Sequence, residues 1–185
     1  CGGTFTNIAG ATSAAYAPGS LTVTTYYRRV VTSTLNGTPC TATSNCITIT
    51  INDVTPGTVG SDQTICSGGD PAAFTVPVAA TGSGALTYQW QSNTTGCGST
   101  FTNIAGATSA TYDAPAGLSV TTYYRRVVTS TLNGTLCTVN SNCITVTINN
   151  VTPGTVGSDQ TICSGGDPAT FTVSTAATGS GVLSY

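Results

Sequence analysis

Apolar and polar residues alternate with a period of two in several separate stretches. Phe74, Val76 and Val78 alternate with Thr75 and Pro77; Leu86, Tyr88 and Trp90 alternate with Thr87, Gln89 and Gln91. Ile144, Val146 and Ile148 alternate with Thr145, Thr147 and Asn149, and the same pattern recurs at Ile47, Ile49 and Ile51. That period sends successive side chains to opposite faces of a strand, so each stretch predicts a strand with one dry and one hydroxyl-rich face. Pro77 lacks an amide donor and is expected on the wet or edge side. Turn signals separate the strands: Ser67-Gly68-Gly69-Asp70-Pro71, Thr81-Gly82-Ser83-Gly84, Ala114-Pro115-Ala116-Gly117 and Asn133-Gly134. No helical period of useful length occurs, and the chain reads as all-β. Tyr123-Tyr124-Arg125-Arg126-Val127-Val128 resists simple alternation, because either inward set contains an arginine. That arginine is expected near one end of the fold, stacked on a tyrosine or paired with an aspartate such as Asp113 or Asp159. The tyrosines read as a corner motif.

The pattern is duplicated. Residues 54–72 (VTPGTVGSDQTICSGGDPA) recur at 151–169, an offset of 97, and residues 23–38 recur at 120–135 with the same offset. Residues 4–14 recur at 100–110 with an offset of 96, the slip arising from an extra Asp113. A unit of this length is too long for a solenoid turn and matches one β-sandwich domain of roughly 100 residues. The expected architecture is therefore tandem immunoglobulin-like β-sandwich repeats. Residues 1–52 form the C-terminal part of one repeat, 53–150 a complete repeat and 151–185 the N-terminal part of the next. Pro56-Gly57 and Pro153-Gly154 mark the junctions, which are short enough to predict semi-rigid neighbours.

Composition separates this reading from disorder. Forty threonines and eighteen serines resemble a mucin-like tract, but 39% apolar content rich in Val, Ile and Tyr suits pleated, half-buried strands. Only 5% of residues are charged: four arginines and six aspartates, net −2, with no histidine, lysine, glutamate or methionine. Without imidazole or amine there is no ordinary acid–base machinery, so no enzyme, cofactor or metal centre is expected. Nothing steers the chain to nucleic acid or to an anionic membrane. The Gly-rich runs lack the lysine of a phosphate loop, and the scattered aspartates are expected to cap turns rather than hold calcium. No unbroken apolar run is long enough for a membrane helix, and no signal-peptide pattern opens the chain. Cys1 stands in mid-pattern, so the chain is expected to be a segment of something longer.

Eight cysteines fall as Cys1, Cys40, Cys46, Cys66, Cys97, Cys137, Cys143 and Cys163, four per repeat read cyclically. Even numbers, no histidine and no CxxC knuckle favour disulfides over zinc and point to an extracellular or cell-surface setting. Cys137 and Cys143 flank five residues expected to turn a hairpin, which favours Cys137 with Cys143 and Cys40 with Cys46. Cys66 and Cys97 are then expected to pair at the other end of the sandwich. Cys1 and Cys163 are left to partners outside these residues or in an adjoining copy. The rival scheme, Cys66 with Cys137 and Cys97 with Cys143, stays open.

Hydroxyl density raises glycosylation. Sequons stand at Asn36, Asn93, Asn133 and Asn150, and Thr94 and Thr95 with the outward strand threonines are candidate O-linked sites. The alternative is that Asn-Gly pairs are turn residues and threonine is simply a good strand former. Glycans would cover strand edges that lysines usually guard.

Tyr88-Gln89-Trp90-Gln91, residues 101–112 (FTNIAGATSATY), residues 123–128 (YYRRVV) and residues 141–148 (SNCITVTI) together resemble immunoglobulin-like repeats of very large Bacteroidota surface proteins, which often accompany gliding-motility-type secretion domains. The resemblance implies tandem sandwiches, export by the type 9 route, and a role as adhesin stalk or filament; it offers no catalytic residue. The expected function is thus a non-catalytic structural segment of an extracellular fibre or adhesin stalk, partnered by neighbouring copies of the repeat and by covalent glycans. The competing class is a carbohydrate- or surface-binding adhesion module.

Overall fold

The computed structural model covers residues 1–185 and is all-β, sixteen strands with no helix. It forms two compact units, residues 1–53 and 54–185. The first holds β1 (Thr25–Tyr27), β2 (Val30–Leu35), β3 (Thr38–Thr43) and β4 (Ile47–Ile49), with β1 paired to β4 and β2 to β3. The second holds β5 (Val54–Thr55), β6 (Gln63–Cys66), β7 (Thr81–Gly82), β8 (Ala85–Asn93), β9 (Thr102–Asn103), β10 (Thr122–Leu132), β11 (Thr135–Asn140) and β12 (Ile144–Asn149). It continues through β13 (Val151–Thr152), β14 (Thr155–Val156), β15 (Val173–Thr175) and β16 (Thr178–Gly179). Its main sheet has six strands in the order β6-β12-β10-β8-β9, with β11 also paired to β10.

β10 organises this sheet. From Thr122 to Thr131 its residues alternate between buried and half-buried, and Thr122, Tyr124, Arg126, Val128 and Ser130 form the inward set. β8 lies antiparallel beside it with Trp90 opposite Arg126. Trp90, Phe74, Tyr124, Ile144, Val146 and Val59 form the core, with Tyr112, Ile65 and Leu118 packed against it. Phe74 lies 5.1 Å from Tyr124 and 5.6 Å from Trp90 in tilted ring contacts, and Trp90 stacks on Tyr112. Burying side chains such as Phe74 and Ile144 contributes roughly 1.5–3 kcal/mol each, which a charge-poor surface cannot replace. The predicted faces of Trp90 and of Ile144, Val146 and Ile148 are the buried ones.

The expected strand through Phe74, Val76 and Val78 is broken. Phe74 is buried and makes a single bridge to Tyr112, while Val78, 56% exposed, makes one to Thr58. Pro77, between them, has no amide to continue a ladder.

The second departure concerns the turn. Asn133 and Gly134 both take positive φ, 49° and 79°, and join β10 to β11 as a two-residue hairpin, matching the Asn-Gly signal. The five residues between Cys137 and Cys143 do not make a hairpin. β11 and β12 run along the same edge of β10, and the register changes from Val127↔Asn140 to Tyr124↔Ile144, an inserted residue. Ser141 fills the gap: its amide donates to the Arg126 carbonyl and its hydroxyl accepts from the Arg126 amide, both at 2.9 Å. Ser44 makes the same pair with Arg29.

Candidate functional site

The chemistry-bearing residues are the arginine pair, the cysteines and the sequon asparagines. Arg126 is the inward arginine that the alternation requires, and it is fully buried. Nη1 donates to the Ala110 carbonyl at 2.6 Å and Nη2 to the Pro56 carbonyl at 2.9 Å, while the guanidinium carbon lies 4.9 Å from the centre of the Tyr88 ring. Tyrosine is thus the shelter. The aspartate alternative is corrected, since carbonyls fill the role expected of Asp113 or Asp159 and need no second desolvated charge. Burial lowers the Arg126 pKa, opposed by the nearby Tyr88, and its Nε has no hydrogen-bond partner. Arg125 turns the other way, over the Phe101 ring at 4.3 Å, and donates from Nε to Gln91. Both arginines tie distant segments to β10.

Tyr124 and Tyr112 are absorbed in the same way. Tyr124 is buried in the core, and desolvation followed by the nearby Tyr112 pushes its pKa up to about 12. Tyr112 is raised by burial and then by Asp113. An open depression of about 320 Å³ borders Tyr112 and Asp113, lined in part by Ile104, Ala107, Ser109 and Thr111. The Tyr112 ring is already stacked on Trp90, 5.6 Å between centres and 29° between planes, which removes one ring face from any sugar.

The cysteines overturn the favoured pairing. Disulfides join Cys1 to Cys46 and Cys97 to Cys143, and Cys40, Cys66, Cys137 and Cys163 are thiols. Cys137 and Cys143 lie along one extended edge and, with the inserted residue between them, stand five rows of β10 or about 17 Å apart, far beyond the roughly 7 Å that a bridge allows between Cα atoms. Cys40 and Cys46 occupy the corresponding positions. Cys66 stands opposite Asn149, the far end of β12 from Cys143 and hence from Cys97, so Cys66 and Cys97 cannot meet. One half of the rival scheme, Cys97 with Cys143, is what forms. Its other half fails, because Cys137 stands opposite Ser130 and Cys66 lies about eleven residues, or about 36 Å, further along the sheet. Cys1, expected to lack a partner here, has one in Cys46.

Asn36 and Asn133 lie at exposed hairpin tips and carry the positive φ that the turns require. Asn93 organises a turn instead: its Oδ1 accepts from the amides of Thr95 and Gly96, and its Nδ2 donates to the Gly96 carbonyl. Thr94, Thr95 and Asn150 are exposed. Sequence reasoning missed two polar anchors. Asn142 clamps the Val59 amide and carbonyl at 2.9 and 2.8 Å, and Gln63 clamps both backbone groups of Ala72 at 2.8 Å. Gln160 repeats the second clamp on Ala169, so the duplication itself was the available signal.

These features define an all-β, disulfide-bonded chain in which Arg126, Asn93, Asn142 and Gln63 secure its own backbone. No helix is long and apolar enough to cross a membrane, and no three His, Cys, Asp or Glu side chains gather where they could hold a metal ion. Disulfides of this kind belong to oxidising environments. The chain belongs to the family described as a domain of unknown function (DUF8696), which matches residues 2–53 and 55–150. No curated protein and no solved structure matches it.

Proposed function

We propose that this chain is a structural segment of an extracellular fibre or long surface-adhesin stalk, built of tandem immunoglobulin-like sandwiches of about 97 residues, non-catalytic and glycan-coated. The observation that carries the reading is that duplicated sequence builds the same internal frame each time. Arg28 lies over Phe5 at 4.2 Å as Arg125 lies over Phe101 at 4.3 Å. Arg29 donates to the Ala14 carbonyl as Arg126 does to that of Ala110. Cys1–Cys46 matches Cys97–Cys143, and the β5–β7 pairing of Val54 with Gly82 returns as Val151 with Gly179. Spacer arrays need such copying, whereas ligand sites need loops that differ. Threonine and serine in place of charge supply acceptors for a glycan coat over exposed strand edges.

The test is electron microscopy of native material. β10 alone spans about 36 Å at roughly 3.3 Å per residue, so a regular fibre should repeat axially at roughly 35–45 Å per sandwich. Dispersed particles without an axial repeat would refute the stalk, and an intact mass equal to the bare sequence would refute the coat. Glycan-array binding by the 185-residue chain, lost on Arg125→Ala, would favour the adhesion-module class instead.

A further inference from the structure

The four thiols are not scattered. Cys66 closes β6 opposite Asn149, at the end of the sheet where the chain leaves β12 for the following segment. Cys137 lies at the other end, opposite Ser130, whose hydroxyl is the acceptor for the Gly84 amide. Gly82 beside it pairs with Val54, where the chain enters. One cysteine therefore stands at the exit of the repeat and one at its entrance. Asn149 ends β12 and Val151 opens β13, which pairs with β16 as β5 pairs with β7, so exit and entrance are two residues apart along the chain. Wherever one complete repeat follows another, a Cys66 and a counterpart of Cys137 fall at the same junction.

We propose that Cys66 of each repeat is joined by a disulfide to the counterpart of Cys137 in the repeat that follows. This accounts for all four thiols at once: Cys40 and Cys137 are entrance cysteines, Cys66 and Cys163 exit cysteines, and neither junction within residues 1–185 contains one of each. Cys66 is exposed and held in a tight turn by the Gly69 amide on its carbonyl, a bond Gly166 repeats on Cys163. The short connection gives the two sulfurs a high effective concentration, which favours this link over one between separate chains. The chemistry is thiol–disulfide exchange. The Cys66 thiolate attacks a small disulfide oxidant such as glutathione disulfide and releases one thiol, and the partner thiolate then displaces the second. Two protein thiols are oxidised and one oxidant disulfide is reduced. Such a link would make each junction covalent twice and stiffen a stalk without any lysine-based cross-link.

The inference rests on the tandem-repeat organisation, and the test separates the two. The chain is lengthened at Tyr185 by a copy of residues 89–150, completing the repeat begun at Val151. It is then oxidised in a glutathione redox buffer, alkylated, and mapped without reduction. A peptide joining Cys66 to the added copy of Cys137 is expected, with three thiols left instead of five; Cys66→Ser should leave four. If the added copy forms its own counterpart of Cys97–Cys143 but Cys66 stays a thiol, or is joined to Cys137 or to a second chain, the junction link is wrong and the repeat stands. If that counterpart bridge fails to form, the repeat organisation fails and the link with it.

Discussion

Reducing Cys97–Cys143 should be the most costly covalent change available to residues 54–185. The bridge closes a sequence separation of 46 residues, and on chain-entropy grounds its loss should cost about 4 kcal/mol at 25 °C. That is roughly three decades in the folding equilibrium. With a urea slope of about 1.5 kcal/mol/M for a domain of this size, the midpoint should fall by 2–3 M. Trp90 is the only tryptophan and is fully buried, so its fluorescence reports this unit alone. Urea titrations would compare the oxidised chain, the chain in reductant, and the Cys97→Ser/Cys143→Ser double variant. The last two should coincide. Cys66→Ser and Cys137→Ser should leave the oxidised midpoint within about 0.3 M and keep its full sensitivity to reductant. A chain whose sensitivity vanishes in Cys66→Ser but survives in the double variant would show that the bridge runs elsewhere.

Arg126→Ala removes two charge-assisted hydrogen bonds and a buried stem, partly offset by relief of the unpartnered Nε, and should cost about 3 kcal/mol by denaturant midpoint. Arg125→Ala, half-buried beside Phe101, should cost about 1 kcal/mol; the reverse order would refute the inward assignment. Tyr124 titrates near 12 when folded and near 10 when unfolded, so the unfolded chain loses its proton first. Stability should hold below pH 10 and fall by up to about 3 kcal/mol as pH rises to 12, a slope that Tyr124→Phe should flatten. Gly84→Ala drives a Cβ into the Thr131 carbonyl and should lower the thermal midpoint by several degrees, whereas Ala at Gly98, which faces open space, should not.

Much of the fold was legible because it rests on local rules. Alternation placed Trp90, Ile144, Val146 and Ile148 on the dry side, and Asn133-Gly134 marked the β10–β11 hairpin. The doubled pairs Tyr-Tyr and Arg-Arg forced one arginine inward whatever the register. The pairing of cysteines was harder, because it depended on whether residues 137–143 turn back or run on. A signal was present: Cys137 and Val139 are apolar at odd positions whereas Ile144, Val146 and Ile148 are apolar at even ones, a change of parity that an inserted residue produces and a tight hairpin does not need. Phe74 to Val78 misled for the opposite reason. Its alternation is real, but strand pairing requires amides as well as faces, and Pro77 removes one.

The two copies of residues 23–38 and 120–135 form an internal control on what sequence alone dictates. Both make the Asn-Gly hairpin, with Asn36 at φ 51° and Asn133 at φ 49°, and both use serine to fill the gap after it. In the copy at 120–135 the inward face is built into a core: Val128 is fully buried, with Tyr88 of β8 opposite it. The hairpin, the serine plug and the arginine contacts are therefore carried by short-range sequence, while the core around Trp90 and Ile144 draws on segments far apart in the chain. A disulfide from the β8 turn at Cys97 to the start of β12 at Cys143 is placed to hold that strand's end, since Asn93 and Ile144 flank Tyr123 and Tyr124 from either side of β10. The bridge thus adds a covalent tie to a contact that local sequence does not set.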